Sequence, residues 1–203
     1  MKSYLTLSDT TAEIVVQRSR FIAYLYHIEG EEDAREKLTA LRKKHYDATH
    51  VCYAYIADES GNISKFSDDG EPSSTAGAPI LAVISGYRKI LAAVVRYFGG
   101  TKLGVGGLVK AYTDAAAAAL ANAEVKEYAE SNMYALETGY AEYEKCRKAL
   151  EACKIAGLDY SDTVKCEFFA KAEYDIVKEL TETLGGQPSI QLLKESVYTD
   201  YKE

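Results

Sequence analysis

The sequence predicts an α+β protein of two domains that meet near residue 130. Strand-like and helix-like patterns alternate along its 203 residues. The character of the sequence changes around Glu127–Asn132, where polar and charged residues replace a long alanine-rich helical pattern. The segment that follows reads strand, helix, two strands, helix and strand, which is the ferredoxin-like order β-α-β-β-α-β. We therefore assign residues 1–130 to one domain and residues 131–203 to a second.

Local patterns predict each element of the first domain. Glu31–Lys44 is a predicted helix because apolar side chains recur at i, i+4 and i+7, its first turn is acidic and its last turn is basic. Ile90–Phe98 is too apolar for a half-exposed strand and predicts a central one. The other predicted strands are Val15–Ile28, with a polar break at Gln17–Arg20, His50–Ala57 and Ile63–Phe66, and the other predicted helices are Ala76–Ser85 and Gly106–Ala123.

The second domain is predicted in the same way. Ala141–Ala156 is a predicted helix that places Tyr143, Cys146, Leu150 and Cys153 on one face. The helix Glu173–Leu184 turns Val177, Leu180 and Leu184 inward. The predicted strands are Tyr134–Thr138, a short one at Leu158–Tyr160, Thr163–Ala170 and Ile190–Tyr198.

Composition favours a cytoplasmic protein. The apolar runs are far shorter than the roughly 20 residues that a membrane span needs, and MKSYLTLSDT does not resemble a signal peptide. The four cysteines include no Cys-x-x-Cys pair. Cys146 and Cys153 would lie about 10 Å apart along a helix, too far for a disulfide. We expect buried, reduced thiols, no zinc site of the finger type and no membrane partner.

The distribution of charge indicates where an anionic partner would bind. The chain has 31 acidic and 24 basic residues. Residues 1–130 carry 17 acidic and 15 basic side chains, a net charge of −2, whereas residues 131–203 carry 14 and 9, a net charge of −5. From Pro72 to Thr113, however, there are five Lys or Arg residues and no Asp or Glu. Contacts with nucleic acid are therefore expected mainly in the first domain.

Within that segment, an apolar strand runs through a glycine-rich loop into a helix. This arrangement directs backbone N–H groups and the positive end of the helix dipole at an anion. The loop does not match the P-loop or the dinucleotide fingerprint, so no cofactor is predicted. A purely structural interpretation also fits, in which the glycines form a tight turn and let helix and strand pack closely. The candidate anion-binding residues are Arg96, Gly99, Gly100, Lys102, Gly104, Gly106 and Gly107.

The acidic stretch FSDDGEPSSTAGAPI (66–80) offers the candidates for catalysis. Clustered carboxylates can hold a divalent metal or act as acid and base, with a histidine as companion. The weak candidates are Asp68, Asp69, Glu71 and His50. Asp-Asp-Gly also suits an ordinary turn, in which carboxylates accept backbone N–H groups or pair with Arg96. No metal site is assigned, and a binding role is favoured over an enzymatic one.

Three motifs resemble the YigZ/IMPACT family: ATHVCYAY (48–55), FSDDGEPSSTAGAPIL (66–81) and VVRYFGGTKLGVGGLVKAYTDAA (94–116). The resemblance covers about residues 15–125. It implies a first domain of α/β sandwich type, similar to the second domain of a small-subunit ribosomal protein. The second domain resembles the small domain of bacterial members, which is similar to the last domain of elongation factor G.

The resemblance also implies a function. It suggests RNA binding or a link to translation, with RNA, the ribosome or a translation factor as partner. Eukaryotic relatives restrain a translation-control kinase by competing for its activator. They carry an additional N-terminal protein-binding domain, for which this chain is expected to have no room, so that partner is not expected here. Where the family usually has Gly in EPSGTAG, this chain has Ser74. Because serine disfavours positive φ, the turn is expected to differ there. The alternative to binding is a metal-assisted hydrolase that uses Asp68, Asp69 and Glu71.

Overall fold

A computed structural model describes residues 3–201. They form two compact units: Tyr4–Lys126 is the first, and Ser3 with the residues from Glu127 onward is the second. The helices are α1 (Glu31–Lys44), α2 (Gly77–Ile84), α3 (Gly104–Ala121), α4 (Tyr140–Leu150) and α5 (Ile176–Leu184). The strands are β1 (Ser3–Leu7), β2 (Thr10–Val16), β3 (Ser19–His27), β4 (His50–Ile56), β5 (Ser64–Ser67), β6 (Ile90–Tyr97), β7 (Val125–Thr138), β8 (Lys154–Tyr160), β9 (Val164–Lys171) and β10 (Ser189–Asp200).

Strand β6 lies at the centre of the first unit, as its apolar sequence predicts. The sheet has the order β2-β3-β6-β4-β5, and all neighbouring strands are antiparallel. Even-numbered residues from Ile90 to Val94 pack in a core with α2 and α3, and odd-numbered residues from Leu91 to Val95 pack in a core with α1. Because helices cover both faces, β6 is buried on both sides and carries no polar residue before Arg96.

The single strand predicted at Val15–Ile28 is wrong, because the chain forms two antiparallel strands of a hairpin there, β2 and β3. Its polar break forms the turn between β2 and β3, where Gln17 and Arg18 have φ of 46° and 68°. Two consecutive residues at positive φ give a turn whose twist matches that of the flanking strands. β2 also begins at Thr10, earlier than predicted, and β1 was not predicted. Alternate residues of β2 are exposed, so its apolar pattern is weak.

Four helices have bounds different from those predicted: α2 is shorter by one residue at each end, α5 begins at Ile176 rather than Glu173, and α3 and α4 also differ. α3 begins at Gly104 rather than Gly106, and it ends at Ala121. α4 ends at Leu150, because the chain then turns into β8, a longer strand than the predicted Leu158–Tyr160. Cys153 therefore follows α4 and packs at the edge of the second core. No helix within residues 3–201 has both the length and the apolar character needed to cross a membrane.

The second unit has the element order β-α-β-β-α-β that its sequence predicts. Its strands lie in the order β10-β7-β9-β8, and all of these pairs are antiparallel. α4 and α5 contribute to one core with this sheet, through the buried side chains Tyr143, Cys146, Leu150, Ile176 and Leu180. β7 is much longer than the predicted Tyr134–Thr138 and runs through residue 130 without a break.

Candidate ligand-binding site

Asp68 of the acidic loop holds the start of α2 in place. Its Oδ1 accepts hydrogen bonds from the backbone N–H groups of Ala76 (2.9 Å) and Gly77 (2.8 Å), and its Oδ2 accepts one from Ser74 (2.8 Å). Burial raises the pKa of the carboxyl, but the backbone donors outweigh burial and hold this pKa below its ordinary value. Asp68 therefore stabilises the turn in its ionised form.

Asp69 connects the loop to α1 and β4. Its two carboxylate oxygens accept hydrogen bonds from Arg42 at 2.8 and 3.1 Å, and Oδ2 also accepts from the backbone N–H of Val51 at 2.7 Å. Its carbonyl oxygen accepts from Nδ1 of His50 at 2.8 Å. The hydrogen bond to Asp69 raises the pKa of the Arg42 guanidinium. The carboxylate of Asp69 is thus occupied by an ion pair and a backbone donor.

Glu71 is the centre of a buried polar cluster. Its Oε1 accepts hydrogen bonds from Arg96 Nη1 at 2.5 Å and from the Tyr112 hydroxyl at 2.8 Å. The Cys52 thiol donates to the carbonyl oxygen of Asp68 at 3.0 Å and lies 3.3 Å from the Tyr112 hydroxyl. Burial raises the pKa of Cys52 to about 12 and also raises that of Tyr112. Cys52 is therefore an unreactive thiol.

These contacts favour the structural interpretation of the acidic loop over the catalytic one. The three carboxylates have separate partners: backbone N–H groups for Asp68, Arg42 for Asp69, and Arg96 with Tyr112 for Glu71. Nε2 of His50 lies 3.9 Å from Oε1 of Glu71. Within residues 3–201, no group of three or more His, Cys, Asp or Glu side chains is arranged to hold a metal ion. The structural interpretation of the loop accounts for each carboxylate, and nothing supports the hydrolase alternative.

The glycines before α3 have different roles. A Cβ atom on Gly99 would lie 2.1 to 2.3 Å from backbone atoms of Arg18 and Ser19, so close packing requires this glycine. Gly100 and Gly104 have φ of 88° and 73°, the region that glycine adopts without strain. Gly106 and Gly107 lie in the first turn of α3. The structural interpretation therefore applies in two ways: Gly99 permits close packing, and the exposed Gly100 and Gly104 permit a turn at positive φ.

A pocket of about 400 Å³ brings the two motifs together. The antiparallel pairing of β4 with β6 places His50 opposite Arg96, and the loop before α3 adds Lys102 and Gly104. Of the predicted site residues, six do not line the pocket: Asp68, Asp69, Gly99, Gly100, Gly106 and Gly107. The lining residues that the sequence did not single out for this site are Thr49, Pro72, Phe98, Leu103, Val105 and Leu108. All six lie within the three motifs, so their membership of a motif was the feature of the sequence that could have identified them.

Arg96 is a candidate anion-binding residue, and in the structure it forms the ion pair with a carboxylate that the structural interpretation of the acidic loop included. It is 5% exposed, and its charge is balanced by Glu71, which is also buried. Its Nη2 lies 3.5 Å from Ser19 Oγ, and its Nε is buried with no hydrogen-bond partner among the described residues. Lys102, in contrast, is exposed. The formal positive charge available to a ligand in this pocket therefore comes from Lys102, and the first turn of α3 adds the partial charge of its N–H groups.

Ser74 takes the backbone conformation expected of the glycine that it replaces. Its φ is 60°, and its N–H donates to Asp68 Oδ2. The expectation that the turn avoids positive φ is therefore wrong. The carboxylate of Asp68, with its three backbone donors, fixes the turn strongly enough to keep serine in the left-handed region.

Comparison with known proteins agrees with the motifs that form this pocket. The family model of the Impact N-terminal domain matches residues 17–120. The IMPACT family member YvyE of Bacillus subtilis (strain 168) is 35% identical, over 94% of this chain and 91% of that protein. The IMPACT family member YigZ of Escherichia coli (strain K12) is 41% identical over 79% of this chain and 82% of its own length.

A solved structure is similar to this protein over nearly the whole chain. It is described as the crystal structure of an hypothetical protein, shares 36% sequence identity, and superposes with a TM-score of 0.63 over 95% of this chain and 97% of the other. The Impact N-terminal domain accounts for the motifs at the pocket, and the relatives extend the similarity through the second unit. The chain belongs to the IMPACT family.

Proposed function

We propose that this protein is a non-enzymatic binding protein linked to translation, and that its first unit holds RNA or another phosphate-bearing ligand at the start of α3. The observation that carries this proposal is the exposed first turn of α3 beside Lys102 at the mouth of the pocket. The first N–H groups of a helix have no partners within the helix, and the helix dipole favours an anion there.

The charge around the pocket supports an anionic ligand. Glu71 and Arg96 balance each other, so Lys102 leaves the charged lining with a net charge of +1 when His50 is neutral. No Asp or Glu lies between Pro72 and Thr113 in the sequence. In this proposal Lys102 and the N–H groups of Gly104 and Val105 contact the anion, and Gly106 and Gly107 leave the first turn of α3 without side chains. Gly99 and Gly100 shape the loop, and Arg96 holds the wall of the pocket.

The second unit has a different role in this proposal. Residues 131–203 carry a net charge of −5, which disfavours contact with a phosphate backbone. We assign RNA contact to a domain of residues 1–130, of ribosomal-protein type. A ferredoxin-like domain of residues 131–203, similar to the last domain of elongation factor G, then orients the protein on a ribosome or translation factor. The family resemblance supports the link to translation, and the composition supports a cytoplasmic location.

Binding of single-stranded and structured RNA to Lys102→Ala and Lys110→Ala tests the proposal. Lys110 is a matched control, because it lies on α3 close to Lys102 in sequence, is exposed and is paired with Asp114 at 2.7 Å. If Lys102 contacts a phosphate, Lys102→Ala should weaken binding to all RNA sequences alike. The slope of the logarithm of the binding constant against the logarithm of salt concentration should become shallower by about one. Lys110→Ala should leave binding close to that of the unmodified protein.

Two results would contradict the proposal. RNA binding that does not depend on salt, or that is equally insensitive to both lysine substitutions, would rule out an anion site at α3. Co-purification with ribosomes that survives nuclease treatment, without measurable affinity for free RNA, would indicate recognition of a protein partner instead.

A further inference from the structure

The pocket beside α3 has an apolar wall that a phosphate group alone does not require. The ring of Phe98 is 47% exposed and the side chain of Val105 is 64% exposed, and both line the pocket. Pro72, Leu103 and Leu108 complete this wall. Exposed apolar groups around a concave site are typical of sites for ligands with an apolar body and a few polar groups. A ligand that fits this pocket therefore has an apolar part, which covers these side chains when it binds.

Phe98 is fixed in position before any ligand binds. Its backbone N–H donates to Thr49 Oγ1 at 3.0 Å. Arg96 lies against its ring, with Cζ 5.6 Å from the ring centroid, and the same guanidinium lies 5.4 Å from the ring centroid of Phe21. Because Glu71 holds Arg96 in turn, the aromatic ring has rigid support on one side. A supported, half-exposed ring suits the stacking of a planar base.

The polar wall of the pocket offers complementary hydrogen-bonding groups. A carbonyl oxygen can only accept, so His50 donates through Nδ1 to Asp69, and Nε2 of the neutral ring is an acceptor. The carboxylate of Glu71 is a second acceptor. Arg96 lines the pocket as well, but its Nε is buried, so the polar groups that face a ligand here are the two acceptors. Acceptors side by side can take N–H groups from the edge of a nucleobase.

We infer that this pocket takes one unstacked base of single-stranded RNA. The base stacks on Phe98, its edge faces His50 and Glu71, and its phosphate lies at Lys102 and the first turn of α3. A volume of about 400 Å³ is within the range of sites for single small ligands. A base paired within a duplex cannot enter such a pocket, so single strands are preferred. This inference rests on the proposed function, and it identifies the base as the part of the ligand that contacts the apolar wall.

The test compares a short fluorescein-labelled single-stranded oligoribonucleotide with the same oligonucleotide carrying abasic riboses. Fluorescence anisotropy should show about 5- to 100-fold weaker binding of the abasic strand, the range expected for the loss of one stacked base. Phe98→Leu keeps an apolar side chain but lacks the ring, and it should weaken binding of the intact strand and remove the difference between the two strands. Lys102→Ala should weaken both strands by the same factor.

Tyr46→Ala is the matched control, because Tyr46 is 86% exposed and is not part of the pocket. It should bind both strands as the unmodified protein does, and thermal unfolding should confirm that each variant folds. Equal binding of intact and abasic strands, lost in Lys102→Ala, would overturn this inference and leave the phosphate site standing. Binding that neither Lys102→Ala nor Phe98→Leu changes would overturn the proposed function as well.

Discussion

Arg96 and Glu71 lie 25 positions apart in the sequence and form a hydrogen-bonded ion pair inside the first unit, with Nη1 of Arg96 2.5 Å from Oε1 of Glu71. Both side chains are buried, and Tyr112 donates to the same carboxylate oxygen. This pair joins the acidic loop to the central strand β6 at the wall of the pocket. Glu71 of the acidic loop and Arg96 of the glycine-loop motif therefore have a structural role.

Breaking this ion pair from one side should cost more than removing both charges. Glu71→Leu leaves the Arg96 guanidinium buried without its carboxylate, and Arg96→Leu leaves Glu71 unpaired, so each substitution should reduce the free energy of unfolding by about 3–5 kcal/mol. The double variant should lose less than the sum of the two. Urea denaturation of all four proteins measures this coupling. Additive losses would show that the two side chains do not stabilise each other.

Asp68 should make stability depend on acid pH. Because its pKa lies below the ordinary value near 3.9, it stabilises the fold above that pH, and this contribution is lost as pH falls through the lowered pKa. Asp68→Asn should reduce the free energy of unfolding at neutral pH by about 1–3 kcal/mol and flatten the dependence on pH below 5. Denaturant unfolding across the acid range measures both effects.

The exposed carboxylate of Asp162 provides the control for that experiment. Asp162→Asn should leave the acid profile close to that of the unmodified protein. If Asp68→Asn and Asp162→Asn gave the same profile, the backbone donors around Asp68 would not be the cause of its lowered pKa.

Ser74→Gly should stabilise the protein. Serine at a φ of 60° is strained, and the left-handed region costs an L-residue about 1–2 kcal/mol. Part of this gain is offset by the greater freedom of glycine in the unfolded chain. We expect a rise of about 0.5–1 kcal/mol in the free energy of unfolding, measured by thermal and urea denaturation. Ser73→Gly, next to it and without positive φ, should be neutral or destabilising. A loss of stability in Ser74→Gly would contradict strain at this turn.

Two glycines of the loop and helix should respond to alanine in opposite ways. The methyl group of Gly99→Ala would overlap backbone atoms of Arg18 and Ser19, which cannot withdraw without disturbing the β2–β3 hairpin. A loss of about 3 kcal/mol or more is expected. Gly106→Ala should raise stability by about 0.5–1 kcal/mol, since space is open around it and it lies in a helix. Thermal unfolding distinguishes the two, and equal effects would contradict close packing at Gly99.

Local pattern predicted several elements well. The charges and apolar spacing of α1 gave its bounds, and the unbroken apolar run of β6 gave its central position. The Gln17–Arg18 hairpin was read as a break in one strand, because neither residue is a usual signal for a turn at positive φ. The element order of the second unit was also predictable, although α4 was extended into β8 because apolar residues continue past Leu150.

The sequence by itself determined which segments carry the site: the acidic loop, the glycine-rich loop and the strand between them. Only the tertiary structure decided which charges remain available to a ligand. Helix and strand patterns depend on neighbours a few positions away, whereas the meeting of Glu71, Arg96 and Tyr112 depends on the register of β4 with β6 and on the packing of α3 against the sheet. Burial then favours pairing of the guanidinium with the carboxylate, since an isolated charge inside the protein is costly. Lys102, in contrast, lies outside this buried cluster and is exposed to water.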